Sequence, residues 1–378
     1  MGVARERLLP IDCCATAVAF HPTEPALLAG GTFNGEVVLW DLGRDAAAGD
    51  DPQVARTDSL GEARHREPVT ALAWQYSAAE ARRHGAGGGG AHLLLSLGAD
   101  GRLLVWRGAG GRLDNPLMTY ELRCPQPGSG FGAGVLPGAL CMSIPRGRPR
   151  SSAPAAPAAP PPAPGAASEA AGAAFVGLEG GRLLRCQLAD ADEAALREQA
   201  RALAGGERQE PRCPVREAGY ERHEGAVTGV AASPFQAHAV LSCGTDGCVQ
   251  LFNSMRLRPA LRLYAPAAPL LGVAWSPVRP LVFAASTGDG TVLFYDLGRA
   301  QQQGALPAPA LALDARDGGG GGGRPRRRAA AAFNRAVPAL FATAAGGEVK
   351  VWRLPEQLAG GGDQLQASKQ LARLVQLG

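Results

Sequence analysis

A six-residue pattern that begins with glycine recurs along the chain and limits the folds it can adopt. Each copy runs glycine, a variable residue, an apolar residue, a variable residue, a mostly apolar residue and then usually an aromatic. The six copies are GEVVLW (35–40), GRLLVW (101–106), GRLLRC (181–186), GCVQLF (247–252), GTVLFY (290–295) and GEVKVW (347–352). Alternation with a period of two after a turn glycine is typical of a half-buried β-strand. The pattern therefore predicts six equivalent strands.

Two further apolar runs precede each copy, such as VTALAW (69–74) and then LLLSLG before GRLLVW. Asp-Gly joins the second run to the third in three copies, at Asp100, Asp246 and Asp289. Glycine supplies the positive φ that a tight hairpin turn requires. Each copy is thus a meander of at least three strands, with room for a fourth in the connection. Repeated units of this kind predict an all-β chain built from β-propeller blades.

The copies are separated by long insertions of low complexity. Only the copies that end at Phe252 and Tyr295 are spaced like an uninterrupted blade of about 40–45 residues. We expect disordered insertions at about 85–90, 146–172 and 318–328, because runs of Gly, Pro, Ala and Arg bury too little apolar surface to fold. A helix is predicted at about 190–204, where Asp190 and Glu193 suit an N-terminal capping box.

We divide the chain into a lead-in at 1–11, possibly with one outer strand, a propeller at 12–354 and a tail at 355–378. The tail is predicted to contain a short helix with Leu371, Leu374 and Val375 on one face. The sequence leaves two uses for this face open, packing onto the chain's own propeller or binding a partner's helix.

Composition excludes several classes of protein. The 52 glycines and 30 prolines suit many turns rather than a helical bundle, and a net charge of +4 is small for a nucleic-acid-binding protein. The eight cysteines show no Cys-x-x-Cys spacing, which favours reduced thiols inside the cell. No window approaches the roughly 20 apolar residues of a membrane span. We predict no metal, no cofactor, no nucleic-acid binding and no membrane insertion.

Two blades contain polar residues at matching positions. In one, His65 lies before the first strand, Ser96 lies in the second, Asp100 in the hairpin turn, and Trp106 ends the third. The other repeats these positions with His223, Ser242 and Asp246, but ends in Phe252. Ser, His and Asp also occur together in hydrolases. Because the set recurs, and neither serine lies in a Gly-x-Ser-x-Gly elbow, we interpret it as a structural hydrogen-bond network.

The segments AFHPTEPALLAGGTFNGEVVLWDL (19–42), GTDGCVQLF (244–252) and WSPVRPLVFAA (275–285), with the two polar sets, resemble WD repeats of dynein intermediate chains. The resemblance is closest to the smaller WD-repeat intermediate chain of cytoplasmic dynein 2. It implies a WD40-type β-propeller of seven blades, of which six are readable here. It also implies a non-catalytic motor subunit that supports retrograde intraflagellar transport and cilium assembly.

The resemblance further implies the partners and the location. These are the dynein 2 heavy chain, a second WD-repeat intermediate chain and intraflagellar-transport trains, in the cytoplasm, the cilium and the ciliary base at the centrosome or basal body. Family members carry an N-terminal extension that recruits dynein light chains. Since this chain begins almost at its first readable blade, we expect a truncated or alternative start that lacks light-chain binding.

A WD-repeat substrate receptor of a ubiquitin ligase is the alternative function. Such receptors often carry Trp-Asp-x-Arg at a blade end, whereas WDLGR (40–44) and YDLGR (295–299) place arginine one residue late. A propeller enzyme would need carboxylates that converge on one channel, for which the sequence offers no sign. Exposed aromatic and arginine side chains on loops often dominate interfaces. On that ground we select Arg279, Phe235 and Tyr76 as candidate partner-binding residues.

Overall fold

The computed structural model describes residues 9–44, 51–58, 64–84, 89–108, 113–122, 136–145, 172–188, 219–266, 269–299, 307–314, 329–345 and 348–377. The chain divides into two compact units, one of residues 1–139 and 189–213 and the other of residues 140–188 and 214–378. The helix predicted at 190–204 lies outside the described residues, as do residues 85–88, 146–171 and 318–328 of the predicted insertions.

The described residues contain six antiparallel sheets, which we number blade 1 to blade 6 in chain order. Blade 1 consists of β1 (Ala15–Phe20), β2 (Leu27–Thr32), β3 (Val37–Asp41) and β4 (Gln53–Arg56). Blade 2 consists of β5 (Val69–Tyr76), β6 (His92–Gly98), β7 (Arg102–Arg107) and β8 (Met118–Glu121). Between β5 and β6 lie helix α1 (Ala78–His84) and a 3₁₀ turn (Gly89–Ala91).

Blades 3 to 6 continue the same meander. Blade 3 consists of β9 (Ala139–Ser143), β10 (Ala173–Leu178) and β11 (Leu183–Gln187). Blade 4 consists of β12 (Val227–Ala232), β13 (Ala239–Gly244), β14 (Cys248–Asn253) and β15 (Pro259–Tyr264). Blade 5 consists of β16 (Leu270–Trp275), β17 (Val282–Thr287), β18 (Thr291–Asp296) and β19 (Leu311–Asp314). Blade 6 consists of β20 (Ala329–Phe333), β21 (Leu340–Ala345) and β22 (Glu348–Arg353). The predicted all-β fold of six WD40-type blades is confirmed sheet by sheet.

Glycines in the hairpin turns have the backbone conformation that the sequence predicts. The five pattern glycines that the structure describes all have positive φ, between 71° and 94°: Gly35, Gly101, Gly181, Gly247 and Gly290. Three of them also lie close to the segment that enters the next blade. A Cβ on Gly101 would be 2.7 Å from the carbonyl oxygen of Pro137. A Cβ on Gly35 would be 2.2 Å from the carbonyl oxygen of His65, and one on Gly181 would be 2.3 Å from that of His223. These turns therefore need glycine for conformation and for space.

The turns between the first two strands share a capping device, which explains the Trp-Ser-Pro and Phe-His-Pro segments. In blades 1, 4, 5 and 6, one side chain accepts hydrogen bonds from the backbone N–H groups two and three residues later. The acceptors are His21 in blade 1, Ser233 in blade 4, Ser276 in blade 5 and Asn334 in blade 6. Such short-range bonds stabilise a turn without help from the rest of the sheet.

Neighbouring blades are joined by hydrogen bonds at equivalent positions in each unit. The indole of Trp74 on β5 donates to the carbonyl of Ala19 on β1 at 3.2 Å. The indole of Trp275 on β16 donates to the carbonyl of Ala231 on β12 at 3.0 Å. The hydroxyl groups of Thr16 and Thr228 likewise donate to backbone carbonyls in the next blade. The apolar cores lie between these paired sheets.

The tail folds back onto blades 4 and 5. It contains the short helix α2 (Glu356–Ala359) and helix α3 (Gln364–Leu377). Leu371 and Val375 of α3 are buried in the core between blades 4 and 5, while Leu365 is 68% exposed. Of the two uses left open by the sequence, the structure shows packing onto the chain's own blades. No helix in the described ranges is both long and apolar enough to cross a membrane.

Two sheet faces expose positions that are buried in other blades. Val349 and Val351 of β22 are 73% and 66% exposed, whereas the same pattern positions in β14, Val249 and Leu251, are each 1% exposed. On β1, Val18 is 65% exposed. The seven-bladed ring implied by the family resemblance stays a prediction.

Replacing Gly181 with alanine tests the need for glycine in the hairpin turns. A left-handed alanine costs about 1–2 kcal/mol, and its Cβ would also crowd His223, so we expect Gly181→Ala to lower the free energy of unfolding by at least that amount in urea titrations. Gly180 is the matched control, because it lacks positive φ and its Cβ would contact nothing within 4 Å. Equal losses for Gly180→Ala and Gly181→Ala would contradict this account.

Replacing Leu371 with alanine tests whether α3 is part of the folded core. Because Leu371 is fully buried, we expect Leu371→Ala to lower the free energy of unfolding by about 2–5 kcal/mol. Leu365→Ala, on the exposed side of the same helix, should change it by less than about 0.5 kcal/mol. Thermal and urea unfolding of both variants provide the measurement. A Leu371→Ala variant as stable as the parent would show that α3 does not support the blades.

Candidate functional site

The polar residues singled out in blade 2 form one continuous chain of hydrogen bonds. The indole Nε1 of Trp106 lies 2.9 Å from the Oγ of Ser96, and the Nε2 of His65 lies 2.8 Å from the same oxygen. The Nδ1 of His65 lies 3.2 Å from Asp100. The Asp100 carboxylate also accepts from the backbone N–H groups of Arg66 and Arg102, at 2.9 and 3.1 Å.

The direction of each bond in this chain follows from the chemistry of its ends. An indole N–H can only donate, so the oxygen of Ser96 accepts from Trp106 and its own proton is directed to His65 Nε2. An ionised carboxylate can only accept, so His65 Nδ1 carries the proton that faces Asp100. Every donor therefore has an acceptor, and the network links β6, β7, the hairpin turn between them and the segment that precedes β5.

Blade 4 contains the same arrangement without the indole. His223 Nε2 lies 2.8 Å from the Oγ of Ser242, and His223 Nδ1 lies 3.0 Å from Asp246. Phe252 occupies the tryptophan position and is contacted edge-on by Tyr220, with ring centroids 5.4 Å apart. The Tyr220 hydroxyl donates to the carbonyl of Ser254 at 2.5 Å. Aromatic packing thus takes the place of the missing indole bond.

The two networks hold their ionisable groups in defined states. Burial raises the pKa of the Asp100 carboxyl, but the hydrogen bonds from His65, Arg66 and Arg102 outweigh it and leave the pKa below 3.8. Burial also lowers the pKa of His223 below 6.5, although Asp246 opposes this change. His223 is therefore neutral at pH 7, with one proton facing Asp246 and a free acceptor for Ser242.

Blade 6 retains part of the network at positions that the sequence analysis missed. The indole of Trp352 donates to the Oγ1 of Thr343 at 2.8 Å. Strand pairing shows that Thr343 is the counterpart of Ser96: Trp352 lies opposite Phe341 and Lys350 opposite Thr343, as Trp106 lies opposite Leu94 and Leu104 opposite Ser96. The sequence feature that could have indicated this hydrogen bond is the tryptophan at the end of GEVKVW, together with a hydroxyl residue on the preceding strand.

Blades 1 and 5 bury the corresponding aromatic residues without a hydroxyl partner. The indole nitrogen of Trp40 and the hydroxyl of Tyr295 are buried and make no hydrogen bond among the described residues. In blade 1 the serine position is Gly30, where a Cβ would lie 2.3 Å from the Trp40 ring. Tyr295 instead stacks on Phe283 with ring centroids 5.0 Å apart. Packing therefore outweighs the lost hydrogen bond in these blades.

The burial of the networks argues against nucleophilic catalysis by their serines. Ser96 and Ser242 are both 0% exposed, and the hydroxyl of each is engaged within its blade. Within the described ranges, no group of three or more His, Cys, Asp or Glu is placed to hold a metal ion. Cys243 and Cys248 are free thiols, and burial raises their pKa values to about 12 and about 11.

The three candidate partner-binding residues lie in different environments. Tyr76 is 49% exposed and its ring contacts that of His92. Phe235 is half-buried in a capped turn, where its N–H donates to Ser233. Arg279 pairs with Asp296 at 3.8 Å and donates to the carbonyl of Gly360 at 3.4 Å, so its guanidinium helps to hold the tail. Their roles in binding remain predictions.

Comparison with known proteins identifies a matching family model and several similar sequences. Residues 214–253 match the family model of the WD domain, G-beta repeat (WD40). The chain is 31% identical over 350 residues to cytoplasmic dynein 2 intermediate chain 2 of Mus musculus and 31% identical over 351 residues to that of Homo sapiens, in each case over 92% of this chain and 56% of the relative. It is 26% identical over 308 residues to the cytoplasmic dynein 1 intermediate chain of Drosophila melanogaster, over 79% of this chain and 36% of that relative. The chain thus spans little more than half the length of the first two relatives.

Replacing Ser96 with alanine tests the blade 2 network. The substitution leaves the buried indole N–H of Trp106 without an acceptor, which costs about 1–3 kcal/mol. Ser242→Ala is the matched control, because Phe252 offers no donor, and we expect it to cost less. A double-mutant cycle of Ser96→Ala with Trp106→Phe in urea unfolding should give a coupling free energy of about 0.5–3 kcal/mol. A coupling free energy near zero would contradict the network.

Proposed function

Because the chain belongs to the WD-repeat dynein intermediate chains, we propose that it is a non-catalytic subunit of the cytoplasmic dynein 2 motor whose blades bind the heavy chain. The observation that carries the proposal is the 31% identity to dynein 2 intermediate chains over 92% of this chain. That match spans the repeats rather than an isolated segment. The blades are thus the part of the protein to which the binding role is assigned.

A scaffolding role agrees with the chemistry of the blades. The Ser, His and Asp side chains form hydrogen bonds within buried networks that hold one strand against the next. A rigid array of small sheets presents its loops in fixed positions, which suits the binding of other proteins. In this proposal the heavy chain performs ATP hydrolysis, and the present chain holds subunits together.

The same proposal includes a second, different intermediate chain and intraflagellar-transport trains as partners. It locates the chain in the cytoplasm, at the ciliary base and in the cilium, where it supports retrograde transport and cilium assembly. The family resemblance assigns light-chain recruitment to an extension ahead of the blades.

The two blade-end segments WDLGR (40–44) and YDLGR (295–299) do not favour the ubiquitin-ligase alternative. In WDLGR the Asp41 carboxylate accepts from the N–H of Gly43 at 2.8 Å. In YDLGR the Asp296 carboxylate accepts from the N–H groups of Gly298 and Arg299, at 2.9 and 3.3 Å. Both aspartates cap the turn that ends a strand, which accounts for these segments without a ligase partner.

Affinity purification of the tagged full chain from ciliated cells, followed by mass spectrometry, tests the proposal. We expect a dynein 2 heavy chain and a second intermediate chain to be recovered together with the tagged chain. Recovery of ubiquitin-ligase subunits without any dynein subunit would overturn it.

Two controls make the result specific. A tagged WD-repeat protein from outside the dynein family should recover no dynein heavy chain. The Leu371→Ala variant, which removes a buried side chain from the core, should recover less heavy chain in proportion to its loss of folded protein. Leu365→Ala should behave like the parent chain.

A further inference from the structure

The turn between β14 and β15 of blade 4 presents four consecutive exposed side chains: Met255, Arg256, Leu257 and Arg258. Met255 is 59% exposed and Leu257 is 55% exposed. Single exposed apolar residues are common on protein surfaces, whereas here two of them lie on one turn together with two arginines. We call these four residues, together with the neighbouring exposed Arg222, the blade 4 turn surface.

The backbone beneath this surface is held rigidly. Met255 N–H donates to the side chain of Asn253 at 3.0 Å, and Arg256 N–H donates to the Asn253 carbonyl at 2.8 Å. The carbonyl of Leu257 accepts from the N–H of Glu221 at 2.8 Å. The exposed side chains are thus mounted on a turn that is fixed from both sides, so binding would order little additional backbone.

Ser254 anchors the turn to the interior of the blade. It is buried, its N–H donates to the carbonyl of His238 at 2.8 Å, and its hydroxyl lies 3.0 Å from His238 Nδ1. Its carbonyl accepts from the hydroxyl of Tyr220, whose pKa burial raises to about 12. Tyr220 therefore stays protonated and remains a donor over the physiological range of pH.

The surface is positively charged. Within the part of the chain that the structure describes, the guanidinium groups of Arg222, Arg256 and Arg258 form no ion pair. Nearby Arg262, in contrast, is paired with Glu221 at 2.5 Å. Three arginines thus remain available beside two apolar side chains.

We propose that the blade 4 turn surface binds an acidic segment of a partner protein that also carries apolar side chains. The free arginines complement its carboxylates, and Met255 and Leu257 supply apolar contacts to its hydrophobic residues. Arginine and methionine are both enriched at protein interfaces. Nucleic acid is a poorer match, because phosphates gain nothing from the two apolar side chains. A membrane is also a poorer match, because two apolar side chains on a turn bury far less than an amphipathic helix.

Fluorescence anisotropy with the full chain tests this proposal. The probe is a short fluorescein-labelled peptide in which pairs of glutamates alternate with single leucines. We expect Arg256→Glu with Arg258→Glu to weaken binding at least about tenfold, since repulsion replaces two attractive charges. Met255→Ser with Leu257→Ser should also weaken it about tenfold. A peptide with serine in place of leucine should bind correspondingly less tightly to the parent chain.

The matched control is Leu365→Ser with Lys369→Glu, which changes an exposed apolar residue and an exposed cation on α3. This variant should bind the probe like the parent chain, and circular dichroism should show that all variants are folded. Equal binding by the arginine variant, or tighter binding of anionic phospholipid vesicles or single-stranded DNA than of the peptide, would overturn the proposal. No dynein subunit is present in this assay, so its failure would leave the proposed function untouched.

Discussion

Burial of each sheet face against the next sheet is the interaction on which the rest of this structure depends. A sheet with an apolar face has to bury that face against another layer. Val249 and Leu251 of β14 are almost completely buried because blade 5 and α3 complete the core beside them. The turn glycines and the indole-to-carbonyl bonds of Trp74 and Trp275 set how closely neighbouring sheets can approach.

The hydrogen-bond networks are secondary to this packing. The network has all four members in blade 2, lacks the indole in blade 4 and is reduced to an indole and a hydroxyl in blade 6. Blade 1 buries Trp40 with no partner for its indole among the described residues, yet its strands pair in the same register. The networks therefore pin individual strands, and their loss in one blade does not prevent the blade from forming.

Local features of the fold could be predicted from the sequence, and features that depend on distant contacts could not. Period-two alternation and turn glycines depend only on residues that are neighbours in the sequence, so the first three strands of each blade were predictable. Thr343 was missed because it lies four residues before Gly347, whereas Ser96 lies five residues before Gly101, so counting back from the glycine gives the wrong residue. Arg279 was selected as an exposed arginine, but it forms a hydrogen bond with Gly360, which lies 81 residues later in the sequence. No local sequence pattern predicts a contact between residues so far apart.

Because distant contacts cannot be predicted from local sequence, binding surfaces in this chain have to be identified from the structure. Alternation indicates which side chains share a face but not whether anything covers that face. Val349 and Val351 follow the same pattern as Val249 and Leu251, and only the latter pair is buried. Met255 and Leu257 alternate with arginines in the same way, although they lie on a turn beyond the strand. Whether a strand face is buried is decided by the neighbouring sheets and not by the strand's own sequence. A candidate interaction surface can therefore be recognised only where the sequence pattern predicts burial and the structure shows that the side chains are exposed.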